Sequence, residues 1–277
     1  MAQLEMGAMI ACITLRRAFA MVLSVAAFYL QSVAVHSQPP DHVPLKQSSA
    51  RQKSCGSAQM SCVRTRPPNC TGSPTSRTDD WAELARYREA NASVHRADVV
   101  FMGDSITDFW VQPRFGRFFV GKNYLDRGIS GQTTPQMLLR FCQDVIALKP
   151  KAVLILAGTN DIAGNTGPTT NEEIEGNLSS MSELAKAAGI KVILASITPV
   201  GASQSVQRPM NRIRAINQWM RSYAAANGHV YLDYFSGMLD SSGLLESDLS
   251  NDGLHPNAKG YALMSLLAEV AISKAIG

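Results

Sequence analysis

The chain has 277 residues, of which 45% are hydrophobic, 17% charged and 7% aromatic. This length and apolar content suffice for one substantial core, and the composition excludes a coiled coil, a collagen-like chain and a wholly disordered protein. The net charge of +4 is unevenly divided: residues 1–78 carry eight Lys and Arg against two Asp and Glu, whereas residues 79–277 carry eighteen against twenty. The second part has no stripe of cations for a phosphate backbone, so we expect no nucleic-acid binding.

The first 37 residues have the pattern of an export signal. Arg16 and Arg17 precede an apolar run from Ala18 to Val35, and a short polar stretch follows. A basic segment, an apolar segment and small residues before a cleavage site predict a secretory signal peptide, and therefore a periplasmic or secreted protein. Two alternatives stay open: a misplaced start methionine, and an uncleaved membrane anchor, because eighteen residues approach the length that spans a bilayer.

Residues 38–78 are predicted to form a disordered tether. They are rich in Pro and Ser and nearly devoid of large apolar side chains, so they cannot bury enough surface to offset the entropy lost on ordering. Cys55, Cys62 and Cys70 lie here, and Cys142 lies in the later domain. Export permits disulfides, but the sequence leaves their pairing open. No histidine lies at ligand spacing from these cysteines, which disfavours a zinc site.

From residue 79 to residue 277, helical patterns alternate with apolar runs of strand length. Asp79 and Asp80 predict the cap of a first helix through Trp81, Leu84 and Tyr87. The strands are expected at 98–102, 124–129, 152–157, 192–197 and 230–235, and the later helices at 134–148, 172–188, 208–227 and 257–275. Nearly continuous apolar strands between helices predict one α/β domain, with a parallel sheet covered on both faces.

Polar residues follow the ends of three strands. The first strand ends in Gly103-Asp104-Ser105-Ile106, the second leads into Ile129-Ser130-Gly131-Gln132, and the third into Gly158-Thr159-Asn160-Asp161. Open parallel sheets bind ligands outside the carboxyl ends of their strands, so we expect these groups at one edge. Asn251-Asp252-Gly253-Leu254-His255 precedes the last helix. A serine, an Asp/His pair and hydrogen-bond donors are the parts that acyl transfer requires.

His255 is the histidine best placed for a catalytic role. The other four lie in the signal and tether or at the amino edge of the sheet: His36, His42, His95 and His229. Asp252 can accept the Nδ1–H of His255, which leaves Nε2 to take a proton from Ser105. The alternatives are a solvated loop histidine, a turn aspartate and a serine that only caps a helix.

Two further residues are candidate donors to a developing oxyanion. Gly131 would present a backbone N–H and Asn160 a side-chain amide, although turn formation would also explain either residue. Three nearby carboxylates are interpreted as hydrogen-bond acceptors that organise loops, because a serine mechanism already has its base: Asp104, Asp108 and Asp161.

Taken together, the four blocks resemble those of the SGNH hydrolases, also called GDSL-type esterases, over about residues 97–275. The resemblance implies a flavodoxin-like three-layer sandwich with a five-stranded parallel sheet in the order 2-1-3-4-5. It also implies carboxylic-ester hydrolysis without a metal or organic cofactor. By the same resemblance Ser105 is the nucleophile, His255 the base and Asp252 its orienter, while Ser105 N–H, Gly131 N–H and the Asn160 amide form the oxyanion hole.

The substrate is less defined by the sequence. Five aromatic residues after Ser105 either line an acyl pocket or, as we favour, pack a helix on the sheet: Phe109, Trp110, Phe115, Phe118 and Phe119. No long insertion suggests a lid over a lipid tunnel, so we expect a short, acetyl-like ester of a small molecule or carbohydrate. Lysophospholipase, thioesterase and sugar acyltransferase activities stay open, as does a non-catalytic binding module.

Overall fold

The computed structural model describes residues 80–115 and 118–277. Asp79, the expected signal peptide, and the expected tether with Cys55, Cys62 and Cys70 lie outside these residues. In the part of the chain that the structure describes, no helix has both the length and the apolar character needed to cross a membrane.

Five strands form one parallel sheet in the order β2-β1-β3-β4-β5. The strands are β1 (Val99–Gly103), β2 (Tyr124–Gly128), β3 (Ala152–Leu156), β4 (Lys191–Ala195) and β5 (Val230–Leu232). Strand β1 lies between β2 and β3, with Val99 paired to Tyr124 on one side and to Ala152 on the other. The predicted fold class and strand order are therefore confirmed.

Eight α-helices in the described residues connect and cover the strands. They are α1 (Arg88–Ala92), α2 (Ser105–Asp108), α3 (Thr134–Asp144), α4 (Thr159–Ile162), α5 (Asn171–Ala187), α6 (Met210–Asn227), α7 (Tyr234–Gly237) and α8 (Ala258–Ile276). Capping residues fix several starts. For example, the Asn257 side chain accepts hydrogen bonds from the backbone N–H groups of Lys259 and Gly260 at the start of α8.

Side chains alternate between the two faces of the sheet, as the period of a strand requires. Val100 and Met102 of β1 enter a core with residues of α3, α5 and α6. Val99 and Phe101, from the same strand, enter a second core with Trp110 and residues of α8. Two buried cores on opposite faces give the three-layer sandwich.

Two expected elements differ from those observed. Strand β5 ends at Leu232 instead of continuing to residue 235, because the Asp233 side chain accepts from Ser236 N–H and starts helix α7. The expected first helix is mostly turn. The Asp80 carboxylate does accept from two backbone amides, but Glu83 takes a left-handed φ of 51°, so helix α1 begins only at Arg88. The other strand and helix boundaries lie within four residues of the expected ones, and several coincide, such as the starts of β2, β3 and α3.

Candidate active site

Ser105 is the first residue of α2 and follows β1 after a single capping residue. The Asp104 carboxylate accepts a hydrogen bond from Ile106 N–H at 2.9 Å. The Tyr261 hydroxyl of α8 donates to the Ile106 carbonyl at 2.8 Å. The turn that presents Ser105 is thus held from within and by the last helix of the chain.

Gly128 lets this turn pack directly onto the end of β2. A Cβ atom at Gly128 would lie 2.1 Å from the backbone nitrogen of Asp108 in α2, a separation that side chains cannot adopt. The absence of a side chain at Gly128 therefore determines how closely α2, and with it Ser105, approaches the carboxyl edge of the sheet.

Ser105, His255 and Asp252 form one continuous hydrogen-bonded chain. His255 Nε2 lies 2.9 Å from Ser105 Oγ, and His255 Nδ1 lies 2.7 Å from Asp252 Oδ2. The other carboxylate oxygen, Asp252 Oδ1, accepts from the backbone N–H groups of His255 at 2.8 Å and Leu254 at 2.9 Å. The turn therefore fixes the carboxylate, and the carboxylate fixes the plane of the imidazole ring.

The carboxylate within this chain, Asp252, and the neighbouring carboxyl group of Asp104 have pKa values shifted in opposite directions. Burial works against ionisation of Asp252, but hydrogen bonds from the His255 ring and from two backbone amides outweigh it and lower the pKa of Asp252 to about 2. Burial raises the pKa of Asp104 to about 7, although the Ile106 amide and the charge of Arg208 partly oppose it. Asp252 therefore stays ionised at neutral pH.

Gly131 and Asn160 lie on the loops after β2 and β3. Gly131 has a left-handed φ of 81°, and its carbonyl accepts from the Asn165 side chain at 3.0 Å. Asn160 Nδ2 donates to the Gln132 carbonyl at 3.0 Å. Within residues 80–115 and 118–277, neither Ser105 N–H nor Gly131 N–H donates to another group of the protein. Two backbone donors thus remain available at this edge of the sheet.

The GDSL-like Lipase/Acylhydrolase family model matches residues 101–263. This span contains the five predicted site residues, which are Ser105, Gly131, Asn160, Asp252 and His255. The chain belongs to this family. It is a carboxylic ester hydrolase with the GDSL-type α/β fold, as the resemblance of its four sequence blocks implied.

Solved structures and a curated relative support the assignment. A Bacteroides fragilis protein assigned as an acylhydrolase is 42% identical, with a TM-score of 0.67, covering 71% of this chain and 99% of its own. A GDSL-like lipase from Bacteroides thetaiotaomicron is 40% identical, with a TM-score of 0.66 and coverages of 70% and 99%. "Uncharacterized lipoprotein YqeF" of Bacillus subtilis is 39% identical over 79 residues, 27% of this chain. That match spans about a third (32%) of its length.

This GDSL-like hydrolase carries a buried polar network behind the site that sequence analysis did not identify. Arg140 of α3 is fully buried and forms an ion pair with Asp144 at 3.1 Å. Its remaining donors reach the Gly103 carbonyl at 3.1 Å and the Gln132 side chain at 2.6 Å. Arg140 therefore ties the strand end before Ser105 to the loop that carries Gly131.

A second arginine that sequence analysis missed lies before α6. Arg208 is only 6% exposed, and its Nε donates to Thr159 Oγ1 at 3.1 Å, while Nη2 lies 3.5 Å from Asn160 Oδ1. Nothing in the sequence marks either arginine, because an arginine on a helix or loop has the pattern of a solvated cation until its tertiary partners are known.

Two of the three carboxylates interpreted as loop organisers bridge separate segments. Asp108 accepts from Ser130 Oγ at 2.6 Å and from Ser130 N–H at 3.2 Å, which ties α2 to the Gly131 loop. Asp161 accepts from the Thr134 hydroxyl at 2.6 Å and from Thr134 N–H at 3.0 Å. With the Asp104 cap, all three carboxylates act as the expected hydrogen-bond acceptors.

The aromatic residues after Ser105 divide between core and surface. Trp110 and Phe119 are buried and contact Phe101 in the core, as expected for packing. Phe109 and Phe115 instead border an open cleft of about 720 Å³ beside His255, and the Phe109 ring centroid lies 5.0 Å from that of His255. The other lining residues are mostly polar, with Pro256 and Ala258 as the exceptions. The polar ones are Arg114, Ser247, Asp248, Asn251, Asp252, Asn257 and Lys259.

The described ranges 80–115 and 118–277 contain no group of three or more His, Cys, Asp or Glu side chains arranged to bind a metal ion.

Proposed function

We propose that this protein is a serine esterase that hydrolyses short-chain carboxylic esters through an acyl-enzyme, with Ser105, His255 and Asp252 as its triad. The observation that carries the proposal is the hydrogen-bonded chain from Ser105 Oγ through the His255 ring to Asp252, with distances of 2.9 and 2.7 Å. A hydroxyl, an imidazole and a carboxylate in this order are the arrangement that activates a serine nucleophile.

In the first step Ser105 Oγ attacks the ester carbonyl carbon while His255 Nε2 takes the hydroxyl proton. The carbonyl oxygen becomes an oxyanion, and the N–H groups of Ser105 and Gly131 and the Asn160 amide donate to it. His255 then returns the proton to the leaving alcohol oxygen as the carbon–oxygen bond breaks. Water then attacks the acyl-serine carbonyl carbon while His255 takes a proton from it, the bond from this carbon to Ser105 Oγ breaks, His255 returns the proton to Oγ, and the carboxylic acid leaves. These steps use no metal or organic cofactor.

The leaving alcohol lies on the His255 side, because that ring supplies its proton. The cleft on this side is bordered by two phenylalanines and, for the rest, mainly by charged and amide side chains such as Asn251 and Lys259. Such a surface suits a polar alcohol, including a carbohydrate hydroxyl, better than a long hydrocarbon chain. An acetyl-like acyl group on a small molecule or carbohydrate is therefore the proposed substrate class.

We also propose that the domain lies outside the cytoplasm. The signal-like pattern of residues 1–37 and the Pro/Ser-rich residues 38–78 precede the hydrolase domain of residues 79–277. A relative that is called a lipoprotein supports an exported, membrane-associated location. An uncleaved N-terminal segment would instead anchor the protein directly.

The test is hydrolysis of p-nitrophenyl acetate, butyrate, octanoate and palmitate by the full chain, beside the Ser105→Ala variant. We expect the acetate to be cleaved fastest and the variant to lose activity on every ester. Fastest cleavage of the palmitate would overturn the short-acyl assignment. Activity retained by the variant would overturn the serine mechanism itself.

A further inference from the structure

Arg208 and Gln132 contact opposite ends of the Asn160 carboxamide, the side-chain group proposed for the oxyanion hole. The Asn160 carboxamide has two ends: Nδ2 donates to the Gln132 carbonyl at 3.0 Å, and Oδ1 lies 3.5 Å from Arg208 Nη2. The same guanidinium donates from Nε to Thr159 Oγ1 at 3.1 Å, so it contacts two consecutive residues at the start of α4.

These contacts select one of the two orientations of the amide. A guanidinium has donors only, so it can pair with Oδ1 but not with the amide nitrogen. If the amide turned over, its nitrogen would face the cation and its oxygen would face the Gln132 carbonyl, and both contacts would become unfavourable. In the observed orientation one Nδ2 hydrogen is donated to the Gln132 carbonyl, and the second, which has no acceptor among residues 80–115 and 118–277, is available to an oxyanion.

Arg208 is held in place independently of Asn160. Its Nη1 donates to the Gln204 side chain at 3.1 Å. Burial lowers the pKa of Arg208, while the negative charges of Asp104 and Asp252 oppose this effect. A buried, charged arginine with several fixed partners is a rigid support for the amide.

We propose that Arg208 is a positioning residue, which aligns the Asn160 carboxamide so that its N–H donates to the oxyanion of the proposed serine mechanism. The inference rests on the proposed function and adds a residue that touches no substrate. A purely structural arginine would instead only tie the loop around Gln204 to α4.

The test is a double-mutant cycle on p-nitrophenyl acetate with Arg208→Met, Asn160→Ala and the combination. Loss of one oxyanion donor typically lowers turnover by about 10²–10³-fold, so an arginine acting through that donor should lower kcat by about 10–100-fold with a smaller change in KM. When Asn160→Ala is already present, Arg208→Met should lower kcat by less than about threefold, because the group it positions is gone.

A matched control is available four residues along the chain. Arg212 also donates across segments, to Asn171 Oδ1 at 2.8 Å and to the Thr169 carbonyl, and within the described residues it forms no hydrogen bond with Ser105, Gly131, Asn160, Asp252 or His255. Arg212→Met should therefore leave kcat unchanged. Arg208→Lys, which keeps a cationic donor, should retain more kcat than Arg208→Met and also serves in the cycle if the methionine variant does not fold.

If the double variant loses kcat by the product of the two single losses, the inference is overturned. A normal kcat of Arg208→Met with a lowered melting temperature would overturn it as well. Ser105→Ala separates this result from failure of the proposed function. An inactive Ser105→Ala with multiplying losses refutes only the role of Arg208, whereas an active Ser105→Ala refutes the serine mechanism on which it rests.

Discussion

Two hydrogen-bonded groups meet at the carboxyl edge of the sheet, and they differ most in their contact with water. In the chain from Ser105 to Asp252, Ser105 is only 7% exposed, but the His255 side chain is 25% exposed and that of Asp252 is 51% exposed. In the group around Arg140, the side chains of Arg140 and Asp144 are both 0% exposed. The first group can exchange protons with solvent and substrate, whereas the second is fixed in a closed interior.

The difference shows how one edge of a sheet combines reactivity with rigidity. The buried group extends from Arg140 through Asp144 to Asn91, whose side chain donates to Asp144 at 2.7 Å and accepts from Arg127 at 2.9 Å. Removing one partner of a buried ion pair leaves an uncompensated charge, which costs stability. Changes in the exposed chain should therefore mainly reduce activity, and changes in the buried group should mainly reduce stability.

The largest effect is expected from the exposed chain. Ser105→Ala and His255→Ala should each lower kcat by about 10⁴-fold or more, and the double variant should lose little beyond either one, because the two groups act as a unit. The free energy of unfolding should change by about 1 kcal/mol or less. Kinetics on p-nitrophenyl acetate and urea unfolding of the same samples measure both. If the effects of the two substitutions on the activation free energy were fully additive in the double variant, Ser105 and His255 would not act as a unit.

In the buried group, Arg140→Met should lower the free energy of unfolding by about 3–5 kcal/mol, because Asp144 then carries a buried charge without its ion-pair partner. Adding Asp144→Leu should restore part of this loss, since no buried charge then remains at the pair. Urea unfolding of the two variants tests this expectation. An Arg140→Met protein as stable as the wild type would remove the distinction between the two groups.

Asn160→Ala sharpens the comparison at the boundary between the groups. It should lower kcat by about 10²–10³-fold, the usual cost of one oxyanion donor, and change KM much less. Steady-state kinetics over a range of ester concentrations separate the two constants. A rise in KM with an unchanged kcat would move Asn160 from transition-state stabilisation to substrate binding.

The smallest effect concerns the pH dependence of stability. Because burial raises the pKa of Asp104 to about 7 from its usual value near 3.8, this carboxyl group holds a proton in the folded state and has lost it in the unfolded state between these two values. The free energy of unfolding should therefore fall as the pH rises from about 4 to 7. Asp104→Asn should make this fall smaller by at least ~1.4 kcal/mol, the equivalent of one pKa unit.

Burial also raises the pKa of Asp126 to about 7. The free energy of unfolding of the Asp104→Asn variant should therefore still fall with rising pH, but less steeply. Urea unfolding of both proteins at several pH values between 4 and 7 gives the two slopes. Identical slopes in the wild type and the variant would show that the Asp104 carboxyl is ionised in the fold throughout this range.

Much of the fold could be predicted because its signals are local. The apolar runs that became β1, β3 and β4 differ from their predicted boundaries by at most two residues. The errors arose where a single residue redirects the backbone: the Asp233 side chain caps α7 and so ends β5 early, and the left-handed φ of Glu83 delays the start of α1. Periodicity carries no information about either event.

The candidate site divides in the same way. Sequence blocks indicated Ser105, Asp252 and His255, and the structure brings these three within hydrogen-bonding distance; their catalytic roles stay predictions. Arg140 and Arg208 could not be predicted, because their partners lie far along the chain. Arg140 reaches the Gly103 carbonyl 37 residues away, and Arg208 reaches Thr159 49 residues away.

Tyr261 and His255 lie far along the chain from the residues that they contact at the end of β1. They reach back 155 and 150 residues, to Ile106 and Ser105. A ribosome therefore releases the serine long before it releases the imidazole that the proposed mechanism needs as base. A nascent or C-terminally truncated chain would contain the nucleophile but could not turn over an ester. Under the proposed mechanism, esterase activity thus begins only after the segment that carries His255 has been synthesised and has folded against Ser105.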